Sequence, residues 1–192
     1  MAQMKTPGVY IIEKNAFPNS VVEVATAIPA FIGHTQFARD GNKDLTGIPF
    51  RISSMAEFHS FFGFAPTLRF GIRPEDSESE DTTNDINVLF PDGSCQLTLP
   101  KTFYALYYNM LLFYANGGGP CYIVSIGDYE HDFKSIDFTN ALLALKKEQE
   151  PTLVVVPEAV YMEEGDCYKV QTAALMHCGN DMKNRFAILD IY

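Results

Sequence analysis

Three almost uniformly apolar runs, separated by two stretches of helical character, constrain this chain more than any other feature. The runs lie at residues 121–126, 152–156 and 185–190, and such runs are typical of strands that are buried on both faces of a parallel sheet. Residues 137–150 and 166–178 lie between them and are predicted to form helices. The order strand, helix, strand, helix, strand predicts an α/β fold with a parallel-type sheet flanked by helices.

The rest of the chain divides into an arm, a core and an insertion. Residues 1–20 are predicted to form an extended N-terminal β arm, because proline, glycine and β-forming residues dominate their start. Residues 21–68 and 100–192 are predicted to form the α/β core, which is expected to be incomplete at its C-terminal end. Residues 69–99 are predicted to be a small β-rich insertion, in which an acidic loop at residues 73–85 precedes a hairpin.

Glycines are predicted to end the helices of the core. A short helix capped by Ser53 or Ser54 is expected to stop at Gly63, and a helix over residues 102–116 is expected to stop at Gly117. The helix over residues 166–178 is expected to stop in the same way at Gly179. Each stop follows from the ease with which glycine adopts the left-handed conformation that closes a helix.

The last apolar run is expected to form a strand at or near the centre of the sheet. Only Ile191 and Tyr192 follow residues 185–190, so the 192 residues offer nothing to cover that face or to continue the alternation. The pattern therefore predicts that a helix comes next and that the numbered chain is the front part of a longer polypeptide.

Charge and composition exclude several classes of protein. The chain carries 24 acidic residues against 14 basic ones, a net charge of −10, which makes nucleic acid an unsuitable partner. The first eight residues contain no apolar segment, which predicts synthesis in the cytoplasm without a signal peptide. The longest apolar stretch, residues 102–115, is too short to cross a bilayer, so no direct membrane insertion is expected. The four cysteines are scattered, which favours free thiols over disulfides.

The sequence shows no motif for a cofactor, a metal ion or a catalytic nucleophile. The glycines at positions 117–119 follow a predicted helix and precede a predicted strand, whereas a phosphate-binding loop requires the opposite order. The histidines lack the spacing of metal ligands, and no glycine-flanked nucleophilic serine is present. We therefore predict no catalytic residue, no cofactor and no metal ligand.

Three acidic residues nevertheless keep an enzymatic alternative open. Asp128, Glu158 and Asp190 each follow an apolar run, and ligands of open α/β sheets collect at the carboxyl ends of the parallel strands. Three carboxylates at one edge would suit a metal-assisted site, although acids at strand ends also cap helices and turns. The alternative function is therefore a small-molecule or nucleotide-binding α/β enzyme.

Residues 9–14 are the candidate contact between copies of this chain. In order, the segment consists of Val9, Tyr10, Ile11, Ile12, Glu13 and Lys14. Its β-forming residues alternate between two faces, and it has no obvious partner strand in its own chain. Such a segment suits strand addition to the sheet of a neighbouring subunit, where main-chain hydrogen bonds join the two chains. The other interpretation is a strand that completes the chain's own sheet.

Four segments, in order along the chain, carry a resemblance to a known family. They are residues 6–13 (TPGVYIIE), 24–35 (VATAIPAFIGHT), 113–125 (FYANGGGPCYIVS) and 153–159 (LVVVPEA). These segments resemble the N-terminal arm and three core strands of contractile tail sheath proteins. The chain departs from the family at Ser125, where arginine is frequent, and it lacks the large inserted domains of many phage sheaths. In this it is more similar to the sheaths of extracellular contractile injection systems.

The resemblance implies a mechanical function without enzymatic activity. Copies would form a helical homo-oligomeric sheath around an inner tube protein, together with baseplate and cap proteins, and contraction would drive the tube through a target cell envelope. The chain would be a component of a phage tail or phage-tail-like particle, in the virion or outside the cell. Sheaths join their subunits by terminal arms, which implies an inter-subunit role for residues 9–14. A minor sheath-like paralogue or terminator of the same machine is a further alternative.

Overall fold

A computed structural model describes residues 27–68, 70–74, 85–90, 93–98 and 102–192. These residues form a five-stranded sheet, two smaller antiparallel sheets and four α-helices. The strands are β1 (Pro29–Gly33), β2 (Arg39–Asp40), β3 (Lys43–Asp44), β4 (Phe50–Ile52), β5 (Gly71–Pro74), β6 (Asp85–Phe90), β7 (Gly93–Thr98), β8 (Cys121–Ser125), β9 (Leu153–Val155) and β10 (Phe186–Ile188). The α-helices are α1 (Met55–Phe62), α2 (Leu106–Ala115), α3 (Ser135–Leu145) and α4 (Glu164–Met176).

The main sheet has the strand order β10-β9-β1-β8-β4. The first four of these strands are parallel, and β4 pairs antiparallel with β8 at one edge. The three apolar runs in the second half of the chain all form strands of this sheet, with helices between them. The structure therefore confirms the predicted α/β class, in the form of a mixed and mostly parallel sheet with flanking helices.

The last strand lies at the edge of the sheet, so the expectation of a central position is wrong for the described residues. Strand β1 enters between β8 and β9, and β10 pairs only with the outer side of β9. Phe186 and Ile188 are exposed there, whereas every residue of β1 and β8 is buried. The position of β1 depends on a long-range pairing that the order of elements along the chain does not reveal.

Two apolar cores lie on the two faces of the sheet. Ala30 and Ile32 of β1 point to the face that α3 and α4 cover, where Phe138, Leu145 and Val170 are also buried. On the other face, β1 and β8 pack against α1 and α2. The largest buried side chains of this second core are Leu45, Ile52, Phe58, Phe62, Leu106, Met110 and Ile123. Alternation along β1 thus supplies both cores from one strand, as a sheet covered on two sides requires.

The predicted helix stops at Gly63 and Gly117 are confirmed. Gly63 follows α1 with a φ of 85°, and Gly117 follows α2 with a φ of 83°. At the end of α2, the amide of Gly118 donates to the carbonyl of Phe113, and the amide of Gly117 donates to that of Tyr114. This pair of bonds satisfies the last carbonyls of the helix, so these glycines form a helix cap.

The predicted stop at Gly179 is wrong. A π-helix, His177–Met182, continues directly from α4 and passes through this glycine. The helical segment closes instead at Lys183, whose φ is 60°. Helix α2 also begins later than predicted, at Leu106 instead of residue 102, and α3 ends at Leu145, before residue 150.

Strands β5, β6 and β7 form a separate three-stranded antiparallel sheet in the order β5-β7-β6. Strands β6 and β7 form the predicted hairpin. Residues 73, 74 and 85 belong to strands, so the prediction of a loop is wrong at these three positions, and residues 75–84 lie outside the described residues. Residues 1–26, with the candidate arm, also lie outside them.

In the described part of the chain, no helix combines the length and apolar character that crossing a membrane requires.

Candidate functional site

Three of the four segments that carry the family resemblance lie side by side in the sheet. They supply β8, β1 and β9, which are adjacent and parallel, so their carboxyl ends meet at one edge. His34 and Thr35 follow β1, Ser125 ends β8, and Glu158 comes shortly after β9. We call these four residues the strand-end cluster. All four are buried.

Glu158 is the centre of the strand-end cluster. One carboxylate oxygen, Oε2, lies 2.7 Å from His34 Nδ1 and accepts the His34 backbone N–H at 2.9 Å. The other oxygen, Oε1, accepts the N–H of Leu106 at 3.2 Å. Leu106 is the first residue of α2, where an unpaired amide and the positive end of the helix dipole favour a carboxylate. Glu158 therefore joins the end of β1, the end of β9 and the start of α2.

Gly33 makes room for the Glu158 carboxylate. A Cβ atom at position 33 would lie 3.0 Å from three atoms of that carboxyl group, which is closer than ordinary van der Waals contact. Any larger residue would push the carboxylate away from the amide of His34. The glycine in the sequence F-I-G-H-T is thus explained by the close approach of a side chain from the neighbouring strand.

Aromatic rings enclose the imidazole of His34. Phe133 stacks on it with ring centroids 4.9 Å apart, and Tyr104 and Phe138 contact it edge to face at 5.3 and 6.0 Å. Burial raises the pKa of Tyr104, and the negative charge of Glu158 adds to this effect. The rings exclude water from the histidine and its carboxylate partner, which strengthens the hydrogen bond between them.

The two hydroxyl groups of the cluster connect β1 to β8. Thr35 Oγ1 and Ser125 Oγ are hydrogen-bonded at 2.6 Å, and the backbone N–H of Thr35 donates to the carbonyl of Gly127 at 3.0 Å. A small hydroxyl fits at position 125 because Thr35 supplies its hydrogen-bond partner.

The structure does not bring the three strand-end acids together around a common space. Glu158 is enclosed, whereas Asp128 is partly exposed and Asp190 is exposed. Asp128 and Asp190 follow β8 and β10, which are three strand positions apart, or about 14 Å at the usual strand spacing. Among the described residues, no group of three or more histidine, cysteine, aspartate or glutamate side chains could hold a metal ion.

Asp128 instead stabilises its own loop. Its Oδ1 lies 2.6 Å from Nδ1 of His131 and accepts the backbone N–H of Glu130 at 2.9 Å. These hydrogen bonds, that from His131 above all, lower the pKa of Asp128. Asp128 and His131 also line an open pocket of about 300 Å³ beside the strand-end cluster.

Sequence reasoning found Glu158 but missed its partner. His34 stands one residue after an apolar run, as Glu158 stands shortly after another, and both runs form parallel strands. If two such strands are neighbours, their following residues meet at one edge. The missing information was that β1 and β9 are neighbours, since 124 residues separate His34 from Glu158.

Comparison of the chain with protein-family models finds no matching family, and comparison with curated proteins finds no significant relative.

Proposed function

We propose that this chain is a structural subunit of a contractile tail sheath, which polymerises helically around an inner tube and contracts to drive the tube through a target cell envelope. The observation that carries the proposal is the position of the resembling segments. Three of them form the adjacent strands β8, β1 and β9, and the residues at their ends meet in one hydrogen-bonded cluster. The resemblance therefore extends over one contiguous piece of structure, which supports a likeness in fold.

The strand-end cluster suits a subunit that transmits force. It joins β1, β9 and α2 through hydrogen bonds to Glu158, and rings from residues 133 and 138 pack against it. Both carboxylate oxygens of Glu158 are used within the chain. A buried network that is fully satisfied makes a fold rigid, and a rigid subunit can change its position in a lattice without changing its shape.

Within this proposal, the chain has an arm, a core and an insertion. Residues 1–20 are the extended β arm, and residues 9–14 form a strand on a neighbouring subunit. Residues 21–68 and 100–192 are the sheath core, and residues 69–99 are the insertion, whose acidic loop faces outward. The partners are further copies of the chain, the inner tube protein, and the baseplate and cap proteins, in a phage tail or a phage-tail-like particle.

Negative-stain electron microscopy of the full reading frame, alone and with the tube protein encoded beside it, tests the proposal. We expect striated tubes of uniform width. Deletion of residues 1–15 should abolish these tubes and leave a folded, soluble monomer, as measured by circular dichroism and analytical ultracentrifugation. Dispersed globular particles in both full-length samples would contradict the sheath function and would favour the α/β enzyme. Loss of folding on deletion would contradict the role of the arm.

A further inference from the structure

A pocket of about 300 Å³ lies at the carboxyl ends of the neighbouring strands β1 and β8. We call it the switch pocket, and it is lined by residues 36–38, 44, 46, 125–128 and 131. Ala38 and Leu45, in the connection after β1, are buried in the core with α1 and α2, whereas Phe133, after β8, packs against the core with α3. The two connections thus leave for opposite faces of the sheet. Such a divergence opens a crevice, and ligands of open α/β sheets bind at this position.

Ser125, at the end of β8, brings a buried acceptor to the switch pocket. Thr35 Oγ1 donates its single hydrogen to the carbonyl of Phe37 at 2.8 Å, so the hydrogen in its 2.6 Å contact with Ser125 comes from the serine. The lone pairs of Ser125 Oγ accept no hydrogen bond from any residue that the structure describes. Because Ser125 is 1% exposed and lines the pocket, the missing donor has to come from a group inside the pocket.

Two carboxylates of the switch pocket each have one oxygen to spare. Asp44 Oδ1 accepts the backbone N–H and the hydroxyl of Thr46, at 2.9 and 2.7 Å. Asp128 Oδ1 is occupied by His131 and by the N–H of Glu130. In both aspartates, Oδ2 accepts no hydrogen bond within the described ranges. The bonds to Oδ1 lower the pKa of both carboxyl groups, mainly through the Thr46 N–H in one and His131 in the other, so both are charged at neutral pH.

No lysine or arginine of the described part of the chain forms an ion pair with these two carboxylates. Arg39 belongs to the adjacent hairpin, but its guanidinium lies over the Phe37 ring, 4.5 Å from the centroid. The described residues also offer no third ligand that would complete a metal site with the two aspartates. An ionic partner for them therefore has to come from outside these residues, and an organic cation suits them better than a metal ion.

The lining of the switch pocket combines unused acceptors with apolar surface. The acceptors without a donor are Ser125 Oγ and one oxygen each of Asp44 and Asp128, and the apolar surface comes from Phe37 and Ile126. An ammonium group has three donors and a positive charge, and a methylene chain suits the apolar surface. The volume holds about ten water-sized groups, which is room for a short chain with an ammonium group at each end.

We infer that the switch pocket binds a short aliphatic diamine. Its ammonium groups donate to the free oxygens of Asp44 and Asp128 and to Ser125 Oγ, and its methylene chain packs on Phe37 and Ile126. This binding is additional to the proposed sheath function and does not depend on it, because every residue involved belongs to one chain.

Isothermal titration calorimetry of the full chain with 1,4-diaminobutane tests the inference. We expect one saturable site per chain. The ligand 1-aminobutane carries a single ammonium group and should bind at least about fivefold more weakly. The uncharged 1,4-butanediol should not bind, and an equal concentration of magnesium chloride should not displace the diamine.

Two pairs of variants locate the site. Asp128→Asn and Asp44→Asn keep an oxygen that can accept the hydrogen bonds now made by Oδ1 but remove the charge, and each should weaken binding at least about fivefold. Asp132→Asn and Asp40→Asn are the matched controls. They remove the same charge from exposed residues of the same loop and the same hairpin that do not line the pocket, and affinity should stay within about twofold. Circular dichroism of all four variants checks folding.

Each other outcome would overturn the inference. Equal weakening by the pocket variants and their controls would assign the binding to diffuse attraction by the net charge of −10. Equal affinity for 1-aminobutane would exclude recognition of a second ammonium group, and displacement by magnesium would assign the carboxylates to a metal ion. The absence of saturable binding up to about 10 mM diamine would show that the pocket does not recognise this class of ligand.

Discussion

Glu158 holds the strand-end cluster together, and loss of its hydrogen bonds is expected to lower the stability of the fold. A buried carboxylate is stable only when hydrogen-bond donors replace the water that it has lost. Here the donors are the imidazole and the backbone amide of His34 and the backbone amide of Leu106. Each comes from an element far from Glu158 in sequence, so the folding of three separate segments converges on one side chain.

Replacement of this carboxylate should therefore destabilise the whole fold. Glu158→Gln keeps the shape of the side chain, but it replaces one accepting oxygen with an NH₂ group. This group would face an N–H donor of His34 or Leu106 and could not accept its hydrogen bond. We expect the free energy of unfolding in urea to fall by about 2–4 kcal/mol. Glu130→Gln is the control, because Glu130 is exposed in the loop beside the cluster and should change stability by less than about 0.5 kcal/mol. Equal stability of the two variants would show that the buried contacts contribute little.

His177 and Arg185 form a second buried polar pair, and no carboxylate joins it through the hydrogen bonds of the described residues. Arg185 Nη1 lies 2.9 Å from His177 Nε2 and donates to the carbonyl of Leu145, while Nη2 donates to the carbonyl of Glu148. Nδ1 of His177 has no hydrogen-bond partner among the residues that the structure describes. Burial lowers the pKa of His177 to about 4, and the positive charge of Arg185 adds to this effect, whereas Asp181 opposes it. The histidine is therefore neutral in the folded protein at about pH 7.

This lowered pKa predicts a loss of stability at mildly acidic pH. The unfolded chain binds a proton at His177 below about pH 6.5, whereas the folded chain binds it only near pH 4, so acid favours unfolding between these values. We expect the free energy of unfolding to be about 2 kcal/mol lower at about pH 5 than at about pH 7.5. In His177→Gln this difference should largely disappear. In His131→Gln, which replaces an exposed histidine, it should remain, and its disappearance there would contradict the assignment.

At the scale of elements, the helical segment that begins with α4 ends at Lys183 instead of at the predicted Gly179. The π-helix passes Gly179, and the chain turns at Lys183, whose amide donates to the carbonyl of Cys178 at 2.9 Å. Lys183 is the only residue other than glycine with a positive φ in the described ranges. The turn places Arg185 next to His177, so the buried polar pair depends on a residue in a conformation that lysine disfavours.

Relief of this conformation should stabilise the protein. Glycine adopts a φ of 60° without the steric cost of a Cβ atom, so Lys183→Gly should raise the free energy of unfolding by about 0.5–1 kcal/mol. Lys147→Gly is the matched control, because it removes the same charge just beyond α3, where φ is not positive. It should leave stability unchanged or lower it. A decrease for Lys183→Gly in urea denaturation would mean that the lysine side chain contributes more than its backbone costs.

Strands and helices could be predicted from the sequence where neighbouring residues determine them. The exact ends of several helices and the order of the strands in the sheet could not be predicted. The apolar run at residues 121–126 becomes the buried strand β8, and Gly117 ends α2 as expected, because both depend on neighbouring residues. The start of α2 at Leu106 involves a carboxylate 52 residues away. The position of β10 at the edge depends on the insertion of β1 between two later strands. Contacts over such distances leave no local pattern.

At the scale of the whole molecule, charge and apolar surface act against each other in assembly. Each copy carries a net charge of −10, so copies in a tight lattice repel one another at low ionic strength. The groove of about 560 Å³ between α2 and the main sheet is lined by apolar and uncharged residues, so salt would not weaken an apolar contact made there. A sheath built on such contacts should therefore assemble more readily when salt screens the charges.

Salt dependence consequently distinguishes an apolar lattice from one held by ion pairs. When sodium chloride is raised from about 0.05 M to about 0.5 M, the Debye length falls from more than 10 Å to about 4 Å, and repulsion between copies is largely screened. We expect the critical concentration for tube formation, measured by sedimentation, to fall several-fold over this range. Replacement of Glu75, Glu78 and Glu80 by glutamine removes three of the 24 acidic residues and should make the dependence shallower. Tubes that dissolve as salt rises would instead assign the lattice contacts to pairs of opposite charge.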